Sequence, residues 1–214
     1  MKQLNKYIDH TNLKNTSKQE DIENLCKEAR EMNFASVCVN PCYVDLTKKL
    51  LKGSDVLTCT VIGFPLGANT TLVKAYETED AYNRGCDEFD MVINIGKLKD
   101  GFYDYVRKDI EAVVKAAKGR TVKVIIETGL LSDEEKVIAC QLSYEAGAHY
   151  VKTCTGMSVG KAKSSDVILM KNSINENMKV KASAGIRGHD EAIKLIEAGA
   201  NRLGTSSGVS IIKG

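Results

Sequence analysis

Glu88-Phe89-Asp90-Met91-Val92-Ile93-Asn94 reads as a strand with two unlike faces. Side chains alternate across a strand, so Phe89, Met91 and Ile93 share one side, while Glu88, Asp90, Val92 and Asn94 share the other. The first side is apolar enough to pack under helices. The second carries carboxylates where a core strand should be apolar. The same division recurs: Val37 and Val39 oppose Cys38 and Asn40, and Val151 and Thr153 oppose Tyr150, Lys152 and Cys154. Val180 and Ala182 likewise oppose Lys179, Lys181 and Ser183, and a run through Ile125 ends in Glu127. If the apolar sets face helices, Asn40, Asp90, Glu127, Lys152 and Lys181 point into a shared interior, towards the carboxyl ends of the strands. An α/β fold with such an interior, and with its chemistry at that mouth, is the TIM (β/α)8 barrel.

Outward from this strand the whole chain alternates between short β-branched runs and longer amphipathic ones, which implies a parallel sheet. The strand candidates are Lys6–Thr11, Ala35–Asn40, Leu57–Gly63, Glu88–Asn94, Val122–Glu127, Tyr150–Thr153, Met178–Ser183 and Arg202–Ser206. Helical patterns cover Lys18–Met32, Tyr43–Leu51, Leu72–Gly85, Tyr103–Lys118, Asp133–Ala146, Ala162–Asn172 and Asp190–Ala198, with a stub after Ser207. Ser132 with Glu135 three places on is a capping box. Glu145-Ala-Gly-Ala148 and Glu197-Ala-Gly-Ala200 repeat one helix-to-strand junction 52 residues apart, the spacing of two strand–helix units. Eight units imply closure into a single domain over residues 1–214; a doubly wound open sheet is the competing arrangement.

Composition narrows the function classes. The 214 residues carry 30 Lys+Arg against 28 Asp+Glu, a net charge of +2 with no basic cluster and no Trp, so nucleic acid is not the expected partner. No stretch approaches the roughly 20 apolar residues of a membrane span, and Met1–His10 has no signal-peptide pattern. Seven cysteines, an odd number in a chain long enough to need no staples, fit a reducing, cytoplasmic setting.

Lys152 and Lys181 fall at matching depths on consecutive strands, about 4.8 Å apart. Two ammonium groups about 6 Å apart at an effective dielectric of 20 repel by roughly 2.8 kcal/mol, about two pKa units. Burial pushes the same way, so one amine should be largely neutral near pH 7, as a Schiff-base nucleophile requires. Asp90 partly counters this and is placed to shuttle protons. Lys123 and Lys179, near strand starts, read instead as solvated lysines at the opposite rim. Ser183-Ala-Gly-Ile-Arg-Gly188 and Gly204-Thr-Ser-Ser-Gly208 follow the last two strands, where loop amides and a helix N-terminus converge on phosphate in such barrels. Gly204–Gly208 also fits a nucleophile elbow, but no acid or histidine follows it, so the match is accidental. No metal is expected: Cys38 and Cys42 have ligand spacing without a second pair.

Together Ile8-Asp-His-Thr11, Ser36-Val-Cys-Val-Asn-Pro41, Val61-Ile-Gly-Phe-Pro-Leu-Gly67, Glu88–Gly96, Val151-Lys-Thr-Cys-Thr-Gly156, Lys181-Ala-Ser-Ala-Gly-Ile-Arg187 and Gly204–Gly208 resemble the deoxyribose-phosphate aldolase family, in order and over nearly the whole chain. The resemblance implies a class I aldolase without metal or other cofactor. It would reversibly cleave 2-deoxy-D-ribose 5-phosphate to acetaldehyde and D-glyceraldehyde 3-phosphate in deoxyribose catabolism, as a homodimer. It further implies that Lys152 forms the Schiff base, Lys181 lowers its pKa, Asp90 donates and accepts protons, and Asp9 holds Lys181. Gly156, Gly185, Ile186, Arg187, Gly204, Ser206 and Ser207 would bind phosphate.

Three departures stand out. Ala184 replaces the first glycine of the family's usual pair, where a methyl would crowd the phosphate loop. Cys154 stands where serine is common, is expected to face the site, and would be open to oxidation. The chain also lacks the longer tyrosine-bearing tail of some members. Another Schiff-base phosphosugar aldolase of the transaldolase type, or a non-catalytic phosphosugar-binding barrel, are the rival readings.

Overall fold

The structure is a computed structural model that describes residues 3–214, so Met1 and Lys2, the head of the N-terminal stretch, lie outside it. Eight strands form: β1 Ile8–Asn12, β2 Ser36–Val39, β3 Leu57–Ile62, β4 Glu88–Val92, β5 Thr121–Ile125, β6 Tyr150–Lys152, β7 Lys179–Ser183 and β8 Arg202–Thr205. They pair in parallel in chain order, and β8 returns to pair with β1, for example Asp9 with Gly204. This closure removes the open-sheet alternative. Every expected strand is present, each within two residues of its anticipated bounds.

Around the barrel run α1 Gln19–Glu31, α2 Val44–Leu50, α3 Thr71–Asn83, α4 Ile95–Lys99, α5 Tyr103–Ala116, α6 Asp133–Glu145, α7 Ser164–Asn172, α8 His189–Glu197 and α9 Gly208–Lys213. The core lies between sheet and helices: Val37, Val39, Phe89, Met91, Ile93, Val151, Val180 and Ala182 are buried there. Helix α1 meets it with Ile22, Leu25, Cys26 and Ala29, a stripe at helical spacing. Burying Ile22 and Leu25 contributes roughly 1.5–3 kcal/mol each. The capping box is formed: Glu135 N donates to Ser132 Oγ (3.2 Å) and Ser132 N to Glu135 Oε2 (2.8 Å).

The short α4 was not anticipated. Asn94, expected on a strand, instead accepts from Lys97 N (3.1 Å) and caps it, because β4 ends at Val92. The other local feature that bears on the site is Ala184. It follows β7 with φ +81°, in the left-handed region, and its carbonyl accepts from Ala162 N (3.0 Å), which ties the loop after β6 to the loop after β7. A side chain there costs about 1 kcal/mol of backbone strain, partly offset because alanine has less freedom to lose than glycine. Ala184→Gly should therefore raise the unfolding free energy by about 0.5 kcal/mol. Chemical denaturation would check this, and a clear loss of stability would contradict the strain.

Candidate active site

At the carboxyl ends of the strands a cavity of about 540 Å³ opens, with Lys152 in its wall. Gly156, Gly185, Ile186, Arg187, Gly204 and Ser206 line it too, so six of the seven expected phosphate positions surround one space with the lysine. The lining is completed by β1, the loop after it and α1, through His10, Lys14, Asp21, Asn24 and Glu28, which have no site signature in the sequence. His10 points out of the barrel and pairs with Glu28 (2.7 Å).

Beneath the cavity the barrel interior is ionic. Lys152 and Lys181 are direct register partners on β6 and β7. Both donate to one oxygen, Asp90 Oδ2, at 2.8 Å and 2.7 Å. Lys181 also lies 2.5 Å from Asp9 Oδ2, as expected. Asp90 Oδ1 accepts from Lys123 (2.8 Å), which is 2.7 Å from Glu88 Oε2 and 3.9 Å from Asp9 Oδ2. Arg202 closes the cluster, 2.9 Å from Asp9 Oδ1 and 2.6 Å from each oxygen of Glu88.

Lys123 is therefore a correction: it is fully buried in the interior, not a solvated rim lysine. Strands in a closed barrel tilt, so a row of register partners runs obliquely from inside to rim. The row Asp90, Lys123, Tyr150, Lys179 does this, and only Lys179 at its end is exposed, as anticipated.

Burial alone would raise the carboxyl of Asp90, but Lys123, Lys152 and Lys181 outweigh it and hold the group well below the usual range. Burial likewise opposes, and Arg202, Lys181 and Lys123 reverse, the shift of Asp9, which also ends low. For Lys181 burial favours loss of the proton, yet Asp9 and Asp90 prevail and hold its amine above the ordinary lysine range. The expected repulsion thus does not neutralise Lys181. Lys181 is held as a cation.

A family model described as DeoC/LacD family aldolase matches residues 4–214. The chain belongs to this aldolase family. It is 58% identical over 212 residues to a deoxyribose-phosphate aldolase of Clostridium tetani, covering 99% of this chain and 98% of that protein. It is 60% identical over 211 residues to one of Streptococcus suis, covering 99% and 96%. Among solved structures, the tetrameric deoxyribose phosphate aldolase of Aeropyrum pernix superposes with a TM-score of 0.90 at 34% identity, covering 98% of this chain and 89% of that one. The protein is thus an aldolase, a carbon–carbon lyase on a TIM barrel.

Several expected residues of the aldolase lie elsewhere or act differently. Asn40 sits beyond β2, half-buried, and donates to Lys14 O (3.2 Å). Glu127, buried with φ +58°, accepts from Thr155 N (3.1 Å) and Thr155 Oγ1 (2.5 Å), fastening the loop after β6 rather than facing the cavity. Cys154 is fully buried beside Thr128 Oγ1 (3.4 Å), and burial pushes its thiol up, so it neither lines the site nor offers a reactive thiolate. Ser207 stands beyond the lining and its amide donates to Thr205 Oγ1 (2.9 Å). The Arg187 amide donates to Glu191 Oε2 (2.9 Å), so it is already engaged within the loop and the start of α8.

Cys38, Cys59 and Asp90 place possible metal-ligand atoms within 4.8 Å of one another. The ammonium of Lys123 already stands there, 3.4 Å from Cys59 Sγ and 2.8 Å from Asp90 Oδ1, so the cation these groups favour is the lysine. Cys42, the other half of the expected spacing, is exposed.

Gly204 serves the lysine as well as the cavity. A Cβ there would meet Lys181 Cε at 3.0 Å and Ser183 Cβ at 2.9 Å, so the bare backbone makes room for the amine's stem. Gly204→Ala should lower kcat about 10–100-fold by displacing Lys181, with KM little changed. A raised KM at unchanged kcat would instead confine Gly204 to substrate binding.

Proposed function

We propose that this aldolase reversibly cleaves 2-deoxy-D-ribose 5-phosphate into acetaldehyde and D-glyceraldehyde 3-phosphate through an imine on Lys152. The observation that carries the reading is the position of Lys152: its amine joins the buried ionic cluster and faces a cavity that the loops after β7 and β8 also line, a lining that suits a phosphate. The names of the Clostridium tetani and Streptococcus suis relatives support the substrate.

The neutral Lys152 amine attacks C1 of the open-chain sugar, and loss of water gives an iminium. The C3 hydroxyl then loses its proton, the C2–C3 bond breaks, and its electrons reduce the iminium to an enamine. Glyceraldehyde 3-phosphate leaves. Protonation of the enamine at C2 and hydrolysis release acetaldehyde and the amine. Asp90, tied to three lysine amines and held low by their charge, is too weak a base to act alone. It works with a water beside C3, taking up the C3 hydroxyl proton through that water and returning it to C2 of the enamine, while Lys181 stays protonated. Phosphate bound by the amides of Gly185, Ile186, Gly204 and Ser206, with the Arg187 guanidinium and the open backbone of Gly156, places C1 over Lys152 from a distance. No cofactor enters these steps.

For assembly we propose a homodimer within a family whose Aeropyrum pernix member is a tetramer; Leu72 and Tyr76, exposed one turn apart on α3, offer apolar surface for contact. No helix of the described residues is long and apolar enough to cross a membrane, which accords with a cytoplasmic enzyme.

Borohydride reduction in the presence of acetaldehyde should leave one ethyl group, on Lys152, as located by peptide mass spectrometry. Lys152→Ala should abolish both the adduct and the cleavage of deoxyribose 5-phosphate, while a chelator leaves activity unchanged. An adduct on another lysine overturns the assignment. A reading as a transaldolase-type enzyme requires turnover with a dihydroxyacetone donor and none with acetaldehyde.

A further inference from the structure

Four cationic side chains and three carboxylates meet under the cavity: Lys123, Lys152, Lys181 and Arg202 against Asp9, Glu88 and Asp90. None is more than 6% exposed. With all seven ionised, one positive charge has no partner, in surroundings where an unpaired charge is strongly disfavoured. The cluster is relieved by shedding one proton.

Arg202 does not give up a proton. Lys181 touches Asp9 and Asp90, and Lys123 touches Glu88 and Asp90. Lys152 touches only Asp90, through the oxygen that it shares with Lys181, and it alone of the three lysines faces the cavity. Its proton is the one with least to hold it and the shortest way out.

We propose that Lys123 is a positioning residue of the aldolase: its buried ammonium supplies the unmatched positive charge that leaves Lys152 a free amine, and it turns Asp90 so that Oδ2 faces both other lysines. This rests on the imine reading of Lys152. It assigns the tuning of the nucleophile to a balance across the cluster rather than to its neighbour Lys181 alone.

Other titratable groups face the cluster from the surrounding strands. Burial pushes Cys59 on β3 well up and Tyr150 on β6 up, so both stay neutral. His149, ahead of β6, is pushed down by burial and by Lys123 and Lys179, and stays neutral as well. Cys38 on β2 is the competitor: a hydrogen bond from Cys59 lowers its thiol against the effect of burial. A thiolate there would absorb the same surplus.

The test is the pH midpoint of Lys152 labelling by borohydride with acetaldehyde, measured on variants shown to be folded by thermal melts. Lys123→Met removes the surplus, so the midpoint should rise by about 1–2 pH units, with roughly 10–100-fold less adduct at neutral pH. Glu88→Gln enlarges the surplus, so its midpoint should fall. The double variant should return close to wild type, and Lys123→Arg, which keeps the charge, should stay there. If Lys123→Met does not fold, the fall in Glu88→Gln and the return in the double variant still decide. Folded variants with unmoved midpoints overturn the proposal, as does a midpoint that falls in Cys38→Ala, which would place the lost proton on the thiol. Failure of wild type to label Lys152 at any pH would instead defeat the imine reading itself.

Discussion

Asp90 is one carboxylate shared by three lysine amines, with Lys123 on Oδ1 and Lys152 and Lys181 on Oδ2. These partners come from β5, β6 and β7, while Asp90 sits on β4, so contacts to the last two reach across the interior rather than along neighbouring strands. Only a closed barrel brings them together. Removing one member of such a buried cluster strands the others, at about 3–5 kcal/mol, whereas a fully apolar interior of the same volume would serve stability at least as well. The cluster is accordingly explained by chemistry, and the apolar layer under the helices, from Val37 round to Leu203, holds the barrel closed.

The rim is shaped by how little side chain it carries. Gly204 yields its Cβ space to the stem of Lys181, and Gly156 faces the methyl of Ala184, to whose Cβ a side chain at Gly156 would come within 3.6 Å. Ala184 holds a left-handed backbone with a hydrogen bond from Ala162 as its restraint. Gly185 and Ile186, which follow it, line the cavity, so the strained residue lies at the edge of the candidate site. Glu127 does the matching service for the loop after β6, where Thr155 ties to it twice.

Much of this is legible in the amino-acid sequence. Alternation in Glu88–Val92, Tyr150–Lys152 and Lys179–Ser183 separates helix-facing from interior residues, because a strand has a fixed period, and that was enough to bring Asp90, Lys152 and Lys181 together. Depth was not legible. Lys123 is second in the run Val122–Glu127 and reads as a rim residue until the register is known, which places it at mid-strand as the direct partner of Asp90. Arg202 and Asp9 meet across the seam where β8 rejoins β1, a contact between residues at opposite ends of the chain. Alternation also fails beyond strand ends: Glu127, Cys154 and Asn94 lie just past theirs, where the backbone turns and the period no longer governs direction. The wall from α1 has no local signature, because Asp21, Asn24 and Glu28 read as the solvated face of an amphipathic helix.

The unmatched positive charge bears on more than the first step of the proposed reaction. A neutral Lys152 leaves the cluster balanced; converting it to an iminium restores a cation at the same nitrogen, without a second carboxylate to receive it. Breaking the C2–C3 bond turns that iminium into a neutral enamine and relieves the excess again. An arrangement that favours the free amine therefore also favours collapse of the iminium toward carbon–carbon cleavage, since both discharge the same nitrogen. Lys181 and Lys123, each held by two carboxylates, remain charged throughout and do not compete for the electrons. Stabilisation is thereby directed at the nitrogen whose charge changes, while the other charges stay fixed and need no reorganisation as the bond breaks.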